Sequence, residues 1–156
     1  VVSSQCSGGI PSAEVNGFLE VHNKLRSSIS SGNYVAKGKK MPAAKIPIPN
    51  LTWNCTLEKS AQAVADTCVF EHSNSQYGEN LFSFWSSGKV YVSIDGHGKY
   101  ASEDWESEFQ EFGWSDVTFT GSTIDEGIGH ATQMAWAAST KIGCGIKVCE
   151  ADNTVM

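Results

Sequence analysis

Cys6, Cys55, Cys68, Cys144 and Cys149 are five cysteines in 156 residues, and they constrain this chain more than any other feature. No two of them form the Cys-x-x-Cys pair that binds zinc or cycles redox equivalents. Disulfides are the remaining use for so many cysteines, and disulfides imply an oxidising, extracellular compartment. The odd count leaves two alternatives: one thiol is free, or its partner lies beyond Met156 in a longer natural product. Two N-glycosylation sequons agree with secretion, Asn50-Leu51-Thr52 and Asn54-Cys55-Thr56. Asn50 is the better acceptor, because Asn54 stands where a helix cap is expected.

A chain of this length with 40% hydrophobic residues can close one core, so a single domain over residues 1–156 is expected. No apolar run approaches the roughly 20 residues that span a bilayer, and the opening Val1-Val2-Ser3-Ser4 is unlike a signal segment, so the chain is expected to be mature and soluble. The net charge of -6 comes without a basic stripe, and the Lys37, Lys39, Lys40 cluster is a solvated loop. Nucleic acid is therefore excluded as a partner.

Helical periodicity places Val15, Phe18, Leu19, His22, Leu25 and Ile29 on one stripe after Pro11-Ser12, with Gly32 as the stop. A second helix starts near Asn54 and presents Leu57, Ala61, Val64, Ala65 and Cys68 inward. In "GKYASEDWESEFQEFG" the stripe is Ala101, Trp105, Phe109 and Phe112, and Gly113 ends the helix. Glu108 shares that stripe, whereas Glu103, Asp104, Glu106 and Glu111 face water. A buried carboxylate among apolar neighbours is costly unless a partner waits there. "IGHATQMAW" reads as a short fourth helix, followed by a strand in "KIGCGIKVC". Segments 79–84 and 89–94 read as strands joined by Ser86-Ser87-Gly88, and 33–50 as a long surface loop.

Helices on both sides of a small antiparallel sheet bury these stripes and bring their polar members together. Four residues qualify: His72, Glu79, Glu108 and His130. Two imidazoles and two carboxylates suit a divalent metal such as zinc, or an acid/base set, because each imidazole is oriented by a carboxylate. The competing structural reading makes His72 and His130 hydrogen-bonded core residues.

The strings "VHNKLRSS", "CVFEHS", "YGENLF", "DWESEF", "GHATQMAW" and "IGCGIKVC", in this order, resemble the motifs of the CAP superfamily of cysteine-rich secretory proteins, venom antigen 5 and plant pathogenesis-related proteins. Cys6, Cys55 and "FLEVHNKLRSS" are most similar to the nematode branch, the Ancylostoma-secreted, venom-allergen-like proteins. The resemblance implies an α+β fold, a three-layer α-β-α sandwich with a small antiparallel sheet and an open cleft holding His72, His130, Glu79 and Glu108. It also implies structural roles for Asn23, Arg26, His22 and Asn80, and a Cys68–Cys149 disulfide. Cys6 and Cys55, lacking other mates, are expected to pair. Two departures stand out. Ala131 replaces the usual aromatic after the motif His, which leaves the cavity wall beside His130 more open. The usual cysteine-containing tail, which would hold the partner of Cys144, is absent after "ADNTVM".

No His-Glu-x-x-His helix and no Gly-x-Ser-x-Gly elbow occurs, so no nucleophile is identified. The expected function is a secreted parasite effector that modulates the host by binding proteins, lipids or sterols. His72 and His130 are expected to ligate a weakly held divalent ion, zinc first among candidates, with the two glutamates behind them. Its affinity should fall below about pH 6.5, where an ordinary imidazole protonates. The alternative is a metal-assisted hydrolase that uses the same tetrad.

Overall fold

The first helix, α1 (Ser12–Ser30), follows Pro11, and its expected stripe is largely buried: Val15, Phe18, His22, Leu25 and Ile29. Leu19 is only partly buried. In this computed structural model, which describes residues 6–7, 9–87 and 93–156, two charged residues join that stripe, Glu14 and Arg26. The chain leaves α1 through Gly32 at φ +70, a left-handed turn that a side chain adopts at a cost. Arg26 is 0% exposed, and among the described residues no carboxylate pairs with it. It donates instead to the carbonyls of Pro49 (2.8 Å), Met134 (3.0 Å), Trp136 (2.8 Å) and Ser139 (2.7 Å), tying three distant segments to one helix. Asn23 brackets Leu51 in the same way, accepting from its amide and donating to its carbonyl.

Glu14 explains how the next long helix begins. The third helix, α3 (His97–Glu111), has Gly96 at its N-cap and no side chain of its own to cap it. The Glu14 carboxylate accepts from Gly96 N and Gly98 N, both at 2.7 Å, and supplies the cap from α1. Ala101, Trp105 and Phe109 are buried as the periodicity predicts. Phe112 is not: the helix closes at Glu111, and Phe112, at the C-cap, is 51% exposed before Gly113 turns at φ +87. Glu106 also departs from expectation, because Tyr34 Oη donates to it at 2.5 Å rather than leaving it to water.

The second helix, α2 (Cys55–Ala65), starts at Asn54, whose side chain accepts from Thr56 N and Leu57 N at 3.0 Å each. It ends three residues before Cys68, which lies in a turn at φ +54 rather than on the helical stripe. Among its inner residues Ala65 is buried, while Leu57, Ala61 and Val64 are half-buried and line a recess. A short helix, α4 (Gly121–Asp125), was not legible in the periodicity; a capping box between Thr120 and Thr123 starts it. The last helix, α5 (Gly129–Ala135), buries Ala131 and Met134. α1, α3 and α5 pack on one another.

The strands are short. β1 (Val35–Ala36) and β2 (Lys39–Lys40) form a hairpin inside the segment expected to be a loop, with Tyr34, Ala36 and Met41 buried. β3 (Thr52–Trp53) pairs in parallel with β5 (Lys141–Ile142). β4 (Phe84–Trp85), β7 (Thr154–Val155) and β6 (Val148–Cys149) form an antiparallel sheet in the order β4-β7-β6. The strand expected over 79–84 thus shrinks to its end. The strand expected over 141–149 breaks in the middle, for a physical reason. Gly143 and Gly145 lie against the α2 backbone so closely that an added Cβ would approach Glu58 N to 2.2 Å and Gln62 Cα to 2.4 Å. Gln62 then takes both main-chain groups of Ile146, accepting from its amide and donating to its carbonyl at 3.0 Å each, which replaces a ladder partner. Of the strand and turn expected over 86–94, residues 88–92 lie outside the described residues, and 93–94 are not strand. Helices enclosing these small sheets make the expected α+β sandwich.

Two disulfides close the fold, Cys6–Cys55 with a Cα separation of 5.4 Å and Cys68–Cys149 with 5.8 Å. Cys144 is a free cysteine.

Candidate functional site

His72 follows the Cys68 turn, and Glu79 closes the loop that begins there. Glu79 Oε1 accepts from the His72 ring at Nδ1 (2.8 Å) and from Ser73 N (3.0 Å), and Oε2 accepts from Ser73 Oγ (2.5 Å). Desolvation acts to raise the Glu79 pKa, but the Ser73 hydroxyl and amide and the His72 ring outweigh it and hold the carboxyl below its ordinary range. The second pair joins α3 to α5. Glu108 Oε1 takes His130 Nδ1 at 2.6 Å, and Oε2 takes Ala131 N at 3.0 Å. Glu108 therefore fixes the His130 ring and satisfies a first-turn amide of α5 together.

These contacts decide the tautomers. A carboxylate only accepts, so Nδ1 of each ring carries the proton and Nε2 is left with its lone pair. Trp105 stacks on His130 with centroids 6.2 Å apart at 29°, and its own Nε1 donates to Leu81 O at 2.9 Å. Asn80, the neighbour of Glu79, donates to His130 O at 3.0 Å and links the two pairs. The His72 side chain is 63% exposed and that of His130 35%, so both rings reach solvent. Among the described residues no group of three or more His, Cys, Asp or Glu is placed to hold an ion. The arrangement is two His–carboxylate pairs, each offering one ring nitrogen.

Ser73, Asn80 and Trp105 complete the pairs and were not assigned to them from sequence; the position of Ser73 directly after His72 was the one available signal. Ala131 does not open a cavity wall: it is 0% exposed, because the start of α5 turns that position into the core. His22 is a core residue, 4% exposed, as the resemblance implied. A recess of about 390 Å³ is walled by residues of α1, α2 and α5, by the segment around Glu79, by residues 141–146 and by Val155 and Met156, and Glu79 is the member of the tetrad that lines it.

Residues 19–156 match the family described as CAP: Cysteine-rich secretory protein family. Venom allergen 3 of Solenopsis invicta is 34% identical over 93% of this chain and 64% of its own length. Ancylostoma secreted protein of Ancylostoma caninum is 32% identical over 94% of this chain and 36% of its own. The chain thus spans from about a third to less than two thirds of these relatives. The crystal structure of NaASP2 with Zn2+ superposes with a TM-score of 0.85 at 33% identity, over 97% of this chain and 81% of that one.

Proposed function

Because the chain belongs to the CAP, or cysteine-rich secretory protein, family, we propose that it is a secreted effector that binds host proteins, lipids or sterols and holds a divalent ion weakly at His72 and His130. The secreted relatives and the two disulfides support the extracellular assignment. No helix among the described residues is long and apolar enough to cross a membrane.

The observation that carries the metal reading is the orientation of the two rings. Each is held by a carboxylate through Nδ1, which leaves Nε2 as the ligand atom and makes the carboxylates orienting groups behind it. Glu79 already accepts three bonds and Glu108 two, which suits orientation better than proton abstraction. Two imidazoles completed by water make an open, weak site. A relative of this fold crystallised with zinc supports that ion as the first to test.

Calorimetric titration of zinc into the parent chain, His72→Ala and His130→Ala tests this at neutral and acid pH. The parent should bind, both variants should bind at least tenfold more weakly, and acid should suppress binding, since a protonated ring cannot ligate. Equal binding by all three proteins would place the metal elsewhere. Turnover of casein, peptides or esters that disappears in Glu79→Gln and Glu108→Gln would replace the binding reading by metal-assisted hydrolysis.

A further inference from the structure

We propose that the face built around α4, together with the end of α3 and the C-cap of α5, docks a cationic polypeptide segment that carries apolar side chains. This rests on the reading of the protein as an effector that binds host proteins, and it gives one such partner a chemistry and a place.

The face is apolar where a surface is ordinarily polar. Phe112 is 51% exposed, Phe119 43%, Ile124 60% and Trp136 42%. These side chains come from separate segments but meet around α4. Phe119 precedes the N-cap of that helix, Thr120, and its ring meets Trp136 edge to face, with centroids 5.3 Å apart at 89°. Ile124 lies at the other end of α4. Just beyond it the Phe112 ring covers Gly127, where an added Cβ would stand 3.4 Å from the ring. Exposed apolar groups gathered in one place mark an interaction surface, and Trp is among the side chains that carry most of the binding energy at such surfaces. None of these four residues borders the recess walled by Val155 and Met156.

Charge decides what covers the face. Residues 101–140 hold eight of the seventeen acidic residues of the chain and none of its eleven Lys and Arg. Glu111 adjoins Phe112 and Asp125 adjoins Ile124; both are exposed, as is Asp116. Glu126 stands beside Ser115, whose hydroxyl donates to it at 2.6 Å. Two lysines of the β1–β2 hairpin approach this edge, Lys37 near Gly113 and Lys39, whose ammonium is engaged by Ser115 O at 2.8 Å. An apolar centre with a carboxylate rim attracts apolar side chains flanked by Lys or Arg, and the exposed rings of Phe119 and Trp136 accept those cations as well. The same field repels an anionic membrane surface, and it repels a second copy of the chain presenting this face.

A synthetic amphipathic peptide of Leu and Lys tests the proposal, followed by fluorescence anisotropy of a dye on the peptide and by amide shifts of the isotope-labelled chain. It should bind one per chain and move the amides of residues 111–127 and 136. A peptide with Glu in place of Lys should not bind, and one with Ser in place of Leu should bind about tenfold more weakly. Raising NaCl from about 50 to about 500 mM should weaken the Leu/Lys peptide about tenfold, because the attraction is screened. Ile124→Ser and Asp125→Lys, at exposed positions, should each weaken it at least about fivefold, while Glu20→Lys, exposed on α1 outside the face, should change it less than about twofold. Shifts confined to other residues, equal binding by the Glu peptide, or an equal loss in Glu20→Lys would each overturn the proposal. So would capture of the chain by phosphatidylserine vesicles through this face, or sedimentation of the chain alone as a dimer that Ile124→Ser dissociates. Zinc titration on the same samples reads the His–Glu pairs separately: no peptide binding with zinc retained removes this inference alone, and loss of both removes the wider reading.

Discussion

Glu108 holds His130 by two routes, the ring through Nδ1 at 2.6 Å and the helix that carries it through Ala131 N at 3.0 Å. Removing the carboxylate should therefore cost stability, and on the proposed zinc reading it should weaken the ion's hold as well. Glu108→Ala is expected to destabilise the chain by about 1–3 kcal/mol, since a ring N–H and a main-chain amide lose their acceptor. Glu108→Gln, which keeps one acceptor oxygen, should cost less. Urea denaturation of the three proteins measures the difference, and equal midpoints would deny Glu108 its structural role.

Arg26 offers a harsher case, because one side chain satisfies four carbonyls in a site without solvent. Lysine has a point-like head and three donors, so the fork geometry cannot be reproduced. Arg26→Lys should lose about 3 kcal/mol, and Arg26→Met should lose at least as much, since it strands the same carbonyls. A Met variant as stable as the parent, by thermal melting, would show that those carbonyls find water instead.

Burial and the nearby Glu58 carboxylate push the Cys144 thiol well above its ordinary pKa. Cys144 should thus resist iodoacetamide in the native chain at pH 8 and react within minutes in denaturant, because the thiolate is the nucleophile. Peptide mapping without reduction should find the label on Cys144 alone, with Cys68 joined to Cys149 and Cys6 to Cys55.

His22 makes stability depend on pH. Desolvation, only partly offset by the Phe18 carbonyl and reinforced by the Arg26 charge, lowers its pKa from 6.5 to about 4. Above pH 6.5 the ring is neutral whether the chain is folded or unfolded, and it contributes no pH dependence. As pH falls from 6.5 toward 4, the unfolded chain gains a proton that the native ring refuses, and stability drops by about 3 kcal/mol in total. The difference in stability between parent and His22→Phe, measured by denaturant at pH 7 and pH 4.5, should narrow or invert at the lower value. A constant difference would mean that the native ring takes up its proton as readily as the unfolded one.

The neighbouring sequons separate by role. Asn54 caps α2 through two amides, and Asn54→Ala should cost about 1 kcal/mol. Asn50 is exposed, so Asn50→Gln should leave stability unchanged while removing the glycan proposed for it, seen as a mass shift in protein secreted from eukaryotic cells.

The helices other than α4 were legible before any coordinates because their signals are local. The stripe from Val15 to Ile29, the Asn54 cap and the stops at Gly32 and Gly113 each depend on residues a few positions apart. The motif order carried the family and the sandwich for the same reason, and Glu108 betrayed itself as a carboxylate on an apolar stripe. What periodicity could not supply was the identity of partners distant in sequence. Glu14 capping α3, Arg26 reaching Ser139 and Gln62 replacing a ladder partner of Ile146 are contacts between separate segments. The strand pattern of "KIGCGIKVC" failed on that account: alternation predicts extended backbone, but a helix pressed on two glycines decides whether its amides find a strand. Tertiary packing also decided which nitrogen each histidine offers, because that depends on whether a carboxylate or a carbonyl lies against the other side of the ring.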